Sequence, residues 1–212
     1  MRRAEKMPDT VSLKELKEGG LLVNHTDEKG LRQGTWYSLS PSGKVRSAEE
    51  YVDGKLHGYR WECHDDGEIY LQEPYVDNEL NGECINRYRG GQSFTMKNYV
   101  NGKKHGLSQR CYQSGQLERE THYVNGKKEG VHRRWGCDGH LRTEGNYVNG
   151  MMEGLLRLWD PNGTLYHEGN YENGVLHGVC RTWEKGLELG SKLDREEIYE
   201  YGRLVDWKRN PV

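Results

Sequence analysis

The sequence predicts an all-β protein made of tandem β-hairpin repeats that form one elongated, twisted sheet. Three observations support this: a spacing of 24 residues that recurs along the chain, 28 glycines in 212 residues, and 14 tyrosines against one phenylalanine. Glycine is about twice as frequent as in an average protein. Tight turns use such glycines, and short strands suit tyrosine, whose ring packs while its hydroxyl stays in water. The composition argues against a helix bundle and against a large dry core.

The 24-residue period is marked by tyrosines and glycines. One tyrosine recurs at this interval as Tyr51, Tyr75, Tyr99, Tyr123, Tyr147 and Tyr171. Seven residues after each of them lies a glycine, from Gly58 to Gly178. A repeat of this length is one supersecondary unit, which must stack on its neighbours to bury its apolar face.

Each repeat contains two turn signals that separate two short segments. The first is Asn-Gly or Asp-Gly, as at Asn125-Gly126, and both residues accept the positive φ of a tight hairpin turn. The second is clearest at residues 160–163, Asp-Pro-Asn-Gly. The segments between the turns are about six residues long, which fits a strand and is too short for a stable helix. Each repeat is therefore predicted to be one β-hairpin that pairs edge to edge with the next.

Alternation along each segment predicts which face of the hairpin is half-buried. Apolar residues at even spacings are expected to share that face: Leu107, Val131, Leu155 and Val179, with Trp135, Trp159 and Trp183 further along the same strands. The opposite face is predicted to be solvated and carries a row of carboxylates, Glu120, Glu144 and Glu168. The tyrosines and tryptophans are expected to form ladders that cover glycines of the next strand, such as Gly130.

The two ends depart from the repeat, as terminal caps do. In residues 1–20, Ser12 is followed by Glu15 and Gly19, a pattern that predicts a short helix in an N-terminal segment. The hairpin repeats are predicted over residues 21–187. Residues 188–212 contain a displaced copy of the turn at Tyr201-Gly202 and are predicted to form an atypical capping hairpin.

Residues 99–106, Tyr-Val-Asn-Gly-Lys-Lys-His-Gly, together with the turn glycine that follows, resemble the MORN repeat. The resemblance is to the shorter variant found in bacterial and giant-virus proteins. It extends roughly over residues 27–187, with a weaker copy to residue 207. It implies tandem hairpins and a non-catalytic function, as a scaffold, a dimerisation module or a structural component, for example of a virion. The family is also associated with phospholipid contacts, and some bacterial members with an antitoxin role.

No group of residues in the sequence predicts catalysis, a metal site or a cofactor. His57, His105 and His177 share one position in the repeat but are two or three repeats apart, too far to hold one metal ion, so they are interpreted as turn or packing residues. The glutamate row repeats without a distinct pair, and neither a Ser-His-Asp set nor a nucleotide-binding glycine motif is present. No small-molecule substrate is expected.

Two surface features predict binding instead. The first is a basic stretch that suits an anionic lipid, formed by Lys103, Lys104, Lys127, Lys128, Arg133 and Arg134. The net charge of −2 disfavours nucleic acid as its ligand. The second is an apolar patch at and near the turns of the next repeats, formed by Met151, Met152, Leu155, Val175 and Leu176. This patch predicts a protein partner or self-association.

The predicted localisation is based on the absence of a secretory signal and of a membrane-spanning segment from the sequence. The first residues include no apolar stretch of the kind found in secretory signals, and no apolar run approaches the roughly 20 residues of a membrane helix. The five cysteines form no C-x-x-C pair, which favours reduced thiols. The sequence therefore predicts a protein that is neither secreted nor membrane-spanning, located in the cytoplasm or within a large assembly such as a virion.

Overall fold

The structure, a computed structural model, describes residues 23–184 and 192–209. The chain divides into two compact units, residues 1–104 and 105–212. All regular secondary structure of the described residues is β-strand, so the prediction of an all-β protein is confirmed. Those residues contain no helix of the length and apolar character that crossing a membrane requires. The helix predicted in residues 1–20 lies outside the described residues.

The first unit contains eight strands in an open antiparallel sheet. The strands are β1 (His25–Thr26), β2 (Arg32–Leu39), β3 (Val45–Val52), β4 (Lys55–Cys63), β5 (Ile69–Val76), β6 (Glu79–Leu80), β7 (Gly82–Arg87) and β8 (Ser93–Val100). Each strand pairs with its neighbour in sequence, and β5 pairs with both β6 and β7, which are two parts of one interrupted strand.

The second unit has the same arrangement. Its strands are β9 (Lys103–Cys111), which begins at the boundary, β10 (Leu117–Val124), β11 (Lys127–Trp135), β12 (Leu141–Val148), β13 (Met151–Met152), β14 (Gly154–Trp159), β15 (Leu165–Glu172), β16 (Val175–Trp183), β17 (Leu193–Glu200) and β18 (Arg203–Arg209). All pairs of sequence neighbours that bind each other are antiparallel, and β12 pairs with both β13 and β14. Each tight connection therefore makes a hairpin.

The Asn-Gly turns adopt the predicted backbone conformation. Asn125 and Gly126 have φ angles of 48° and 85°, the paired positive values that a two-residue hairpin turn requires. Turns of this kind also bind the preceding hairpin: the N–H of Gly150 donates to the Lys128 carbonyl, and the N–H of Gly174 donates to the Met152 carbonyl, both at 2.9 Å. The turns therefore hold adjacent hairpins together as well as reversing the chain.

The interior of the protein is small. The buried side chains are those of Val23, Val45, Ala48, Cys63, Ile69, Cys84, Cys111 and Cys180, with the polar Thr95, Thr121, His132 and Asp160. No large side chain of the described residues is fully buried. Since the hairpins form a single layer within each unit, backbone pairing and half-buried side chains carry the stability that a second layer supplies in other β-proteins.

Gly130 differs from the prediction that aromatic ladders cover the repeat glycines. A Cβ atom built on Gly130 would have no atom within 4 Å, so the space beside it is open and the predicted cover is wrong at this position. Its φ angle is 74°, a value that side-chain-bearing residues seldom adopt. The positive φ angle, and not contact with neighbouring side chains, therefore explains why a glycine occupies position 130.

Candidate functional site

The sheet of the second unit has two faces of different chemistry. Residues directly opposite on neighbouring antiparallel strands share a face. His132 on β11 lies opposite Thr121 on β10 and Gly145 on β12, and all three are buried. Tyr123 lies two residues beyond Thr121 and therefore projects to the same side. We call this side the tyrosine face.

The opposite side, which we call the ladder face, carries a row of alternating charges. The row crosses successive strands in the order Gln109, Glu120, Arg133, Glu144, Arg157, Glu168, Arg181 and Glu196. Nε of Arg133 lies 2.7 Å from Oε2 of Glu144, and Nε of Arg157 lies 2.8 Å from Oε2 of Glu168. The alternation places a cation beside each carboxylate of the predicted row.

The sequence reasoning named Arg133, as an anion-binding residue, but missed Arg157 and Arg181 and the pairing of all three with glutamates, although a signal for them exists. Arg133, Arg157 and Arg181 recur every 24 residues, as the glutamates do. They become partners only because the antiparallel register sets each arginine opposite a glutamate. Glu168 illustrates the result, since its second oxygen also lies 3.7 Å from Nη1 of Arg181. The glutamates therefore form an ion-pair ladder and not a set of free carboxylates.

Exposed apolar side chains lie beside this ladder. Five of them form what we call the apolar stripe: Val131 (38% exposed), Met151 (46%), Leu155 (41%), Val175 (42%) and Val179 (36%). Val131 precedes Arg133 by two residues, and Leu155 and Val179 precede Arg157 and Arg181 in the same way, so these side chains project to the ladder face. The stripe is an exposed apolar surface with a fully paired polar border.

Two parts of the sequence prediction are changed by this arrangement. The sequence placed three residues on the half-buried face, namely Val131, Leu155 and Val179. This expectation is wrong, because the register directs the residue that follows each valine, for example His132 or Cys180, to the buried side. Of the predicted partner-binding patch, Met151, Leu155 and Val175 are exposed. Met152 and Leu176 are half-buried and pack over Gly145 and Gly169: a Cβ on Gly169 would lie 3.1 Å from Cδ2 of Leu176.

A groove of about 560 Å³ opens on the ladder face next to the stripe. Its lining includes Val124, Val131, Glu129 and two histidines, His105 and His122. The described residues contain no group of three histidines, cysteines or carboxylates close enough to hold a metal ion. The groove therefore combines apolar walls with a polar rim, an arrangement that suits the binding of a partner better than catalysis.

The predicted anion-binding residues of the second unit do not form one cluster. Lys103 and Lys104 belong to the first unit. Lys127 and Lys128 begin β11, whereas Arg133 and Arg134 lie about 20 Å further along it. Those two arginines project to opposite faces, because Arg133 pairs with Glu120 and Glu144 while Arg134 is opposite Arg119 and Thr143.

Lys128 and His132 each contact a neighbouring side chain on the tyrosine face. The Nζ of Lys128 lies 4.4 Å from the ring centroid of Tyr147, a cation–π contact. His132 Nδ1 is hydrogen bonded to Thr121 Oγ1 at 2.7 Å. Burial lowers the pKa of His132 to about 4, and the positive charges of Lys128, Arg119 and Arg134 act in the same direction. His132 is therefore a neutral, buried ring at physiological pH.

Two of the three histidines that share one repeat position, His57 and His177, contact the turn that follows. Nδ1 of His177 accepts a hydrogen bond from the N–H of Tyr201 in the next turn, at 3.4 Å. His57 Nδ1 lies 3.8 Å from Oδ1 of Asp77, also in the next turn. Glu153 occupies the same position and accepts from the N–H of Asn173 at 3.0 Å. The position thus links one hairpin to the turn that follows it.

Comparison with known proteins identifies the repeat. Residues 104–125 and 152–173 match a family model described as a MORN repeat variant. Each match runs from the start of an outgoing strand, through the second turn, to the asparagine of the next Asn-Gly turn. No curated protein matches the chain.

Proposed function

We propose that this chain, a MORN-repeat protein, is a non-catalytic scaffold whose 24-residue hairpin units present the apolar stripe to a protein partner. MORN repeats generally mediate protein or membrane interactions. The observation that carries the proposal is the exposure of Met151, Leu155 and Val175, at 41–46%, on one face of a paired sheet. Exposed apolar surface, where it forms a patch, marks interaction sites.

The ion-pair ladder supports this function in two ways. It neutralises the border of the stripe, so an apolar partner can approach without desolvating an unpaired charge. It also cross-links the strands that carry the stripe, because Arg157 on β14 binds Glu168 on β15 at 2.8 Å and Glu168 in turn contacts Arg181 on β16. The stripe is therefore held on a preorganised surface, which lowers the entropy cost of binding.

Anionic lipid, the other ligand considered from the sequence, has less support. Lys128 is engaged with the ring of Tyr147, and Arg133 with Glu120 and Glu144. Of the second unit's predicted basic residues, Lys127 and Arg134 remain exposed, at opposite ends of one strand. Their separation does not suit one head group.

The test is a triple substitution of the exposed stripe residues, Met151→Ser, Leu155→Ser and Val175→Ser. Met152 and Leu176 stay unchanged because they pack on glycines and their loss would disturb folding. Quantitative affinity capture from the source cells, together with sedimentation velocity, should show loss of bound protein or of self-association. The thermal midpoint should change little, since the three side chains are exposed.

A matched control replaces exposed valines of the first unit, Val52, Val76 and Val100, by serine. These valines are 41–48% exposed, comparable with the stripe residues. If the control loses the same partners as the stripe variant, general hydrophobicity explains the binding. If neither variant loses any, the stripe is not the interaction surface and the proposal is wrong.

A further inference from the structure

Three arginines lie in a row on the tyrosine face of the second unit. Arg119 on β10 is directly opposite Arg110 on β9 and directly opposite Arg134 on β11. Opposite residues of an antiparallel pair have Cα atoms about 4.5–5.5 Å apart. Like charges in this position destabilise a sheet. A row of three cations across three strands is therefore an unfavourable arrangement that a bound anion would relieve.

Arg110 has such an anion, but Arg119 and Arg134 do not. Nε of Arg110 lies 2.8 Å from Oε2 of Glu118. Arg119 and Arg134 are exposed, and within residues 23–184 and 192–209 no carboxylate oxygen lies within 4.0 Å of either guanidinium. Arg133, the immediate neighbour of Arg134, lies between two glutamates on the ladder face. On β11, Arg133 is thus paired with carboxylates, whereas the next residue, Arg134, faces another arginine.

We propose that Arg119 and Arg134 form a binding site for a phosphate monoester dianion. Each guanidinium presents a planar fork of N–H donors that matches two oxygens of a phosphate group. Two such forks on neighbouring strands can hold one tetrahedral anion between them. Binding would remove the repulsion between the arginines and add charge-assisted hydrogen bonds. This assignment goes beyond the proposed scaffold function, because it concerns the opposite face of the sheet from the apolar stripe.

The site is sized for one phosphate group. The next residues in the same cross-strand row are Thr143 and Leu158, so the positive charge ends at Arg134. A nucleic-acid strand would need a longer basic track. Nearby, the pKa of His132 is lowered by burial and by the charges of Lys128, Arg119 and Arg134, in keeping with a positive potential at this end of the tyrosine face.

A bilayer surface fits the site less well than a soluble monoester. Anionic membrane surfaces are recognised by clusters of about 4–8 Lys and Arg residues. The site here has two, Arg119 and Arg134, and the apolar stripe that could enter a bilayer lies on the opposite face. The favoured ligand is therefore a free phosphate monoester or a phosphorylated side chain of a protein.

The experiment is thermal denaturation of the full chain with sodium phosphate or phenyl phosphate, against sodium chloride at equal ionic strength. A ligand that binds only the folded state raises the midpoint. We expect the wild-type midpoint to rise with both phosphates. Arg119→Gln and Arg134→Gln should each weaken phosphate binding, measured by calorimetric titration, by at least about tenfold. The control Arg133→Gln, which alters the ladder face of the same strand, should keep the phosphate response.

A second variant separates binding from folding. Arg134→Glu replaces the repulsion with an ion pair to Arg119, so its midpoint in chloride should exceed that of the wild type while the phosphate response disappears. Equal phosphate responses in the wild type and both glutamine variants would overturn the proposal, as would loss of the response in Arg133→Gln. Binding to vesicles that contain phosphatidate, without any response to soluble phosphate, would also overturn it in favour of a membrane ligand.

Discussion

Replacement of His132 by glutamine should make the stability of the protein less dependent on pH. Only 8% of the His132 side chain is exposed, and its Nδ1 is hydrogen bonded to Thr121. Burial, reinforced by three nearby cations, lowers its pKa from an ordinary 6.5 to about 4. Glutamine keeps a polar side chain that can bind Thr121 but takes up no proton.

The sign and size of the effect follow from linkage. Between pH 6.5 and about 4 the unfolded chain protonates His132 while the folded protein does not. The unfolded state binds more protons in this window, so the free energy of unfolding falls as the pH falls. The gap between the two pKa values corresponds to about 3 kcal/mol. Above pH 6.5 the ring is neutral in both states and contributes no pH dependence.

The assay is urea denaturation of the wild type and His132→Gln at intervals from pH 7.5 to about 4. The difference in unfolding free energy between the two proteins should change by about 3 kcal/mol across the window, to the disadvantage of the wild type at low pH. His122→Gln serves as the control, because His122 is exposed on the neighbouring strand. Parallel curves for the wild type and His132→Gln would refute the reasoning, since they would show that the buried ring protonates as readily folded as unfolded.

Three other substitutions test the packing of the repeats. Gly130→Ala should cost about 1–2 kcal/mol in chemical denaturation, through its positive φ alone. Gly58→Ala should cost clearly more, because a Cβ there would lie 2.9 Å from Cβ of Glu50; equal costs would show that close contact plays no part. Glu168→Gln removes a carboxylate shared by two arginines and should cost about 1 kcal/mol at low salt and less at high salt. A loss that does not depend on salt would contradict the ion-pair interpretation.

The turns could be predicted from the sequence because their chemistry is local. Asn-Gly and Asp-Gly can take positive φ at both positions, and Asn125-Gly126 does so in its two-residue hairpin turn, whereas in the longer turn at Asn162-Gly163 only the glycine has a positive φ. The turn in which Asn78 replaces the usual glycine has the same conformation, because Asp77 and Asn78 have φ angles of 49° and 71°. The type and the approximate bounds of the strands followed from the turns.

The two faces of the sheet could not be predicted in the same way. They depend on cross-strand register, and irregularities shift that register within most pairs, for example between Thr121 and Tyr123. A shift of one residue moves a side chain to the other face. For this reason even spacing assigned Val131 to the buried side, where His132 lies. Arg134 was part of the predicted basic stretch, but its pairing with Arg119 had no signal, because neither residue recurs in the next repeat, where Thr143 and Leu158 stand.

The division of chemistry between the two faces follows from how a single-layer sheet satisfies its charges. On the ladder face the repeat itself supplies a carboxylate partner for Arg133, Arg157 and Arg181, so the exposed apolar residues of that face lie beside neutralised charges. On the tyrosine face the buried positions include Thr121, His132 and Gly145, and two guanidiniums face each other where one repeat deviates, at Arg119 and Arg134. Positions that recur in the repeats therefore form the common surface of the sheet, and residues that depart from the period mark a specific binding site. In a protein of identical modules, a ligand that must occupy one place can be selected only by a residue that breaks the repeat.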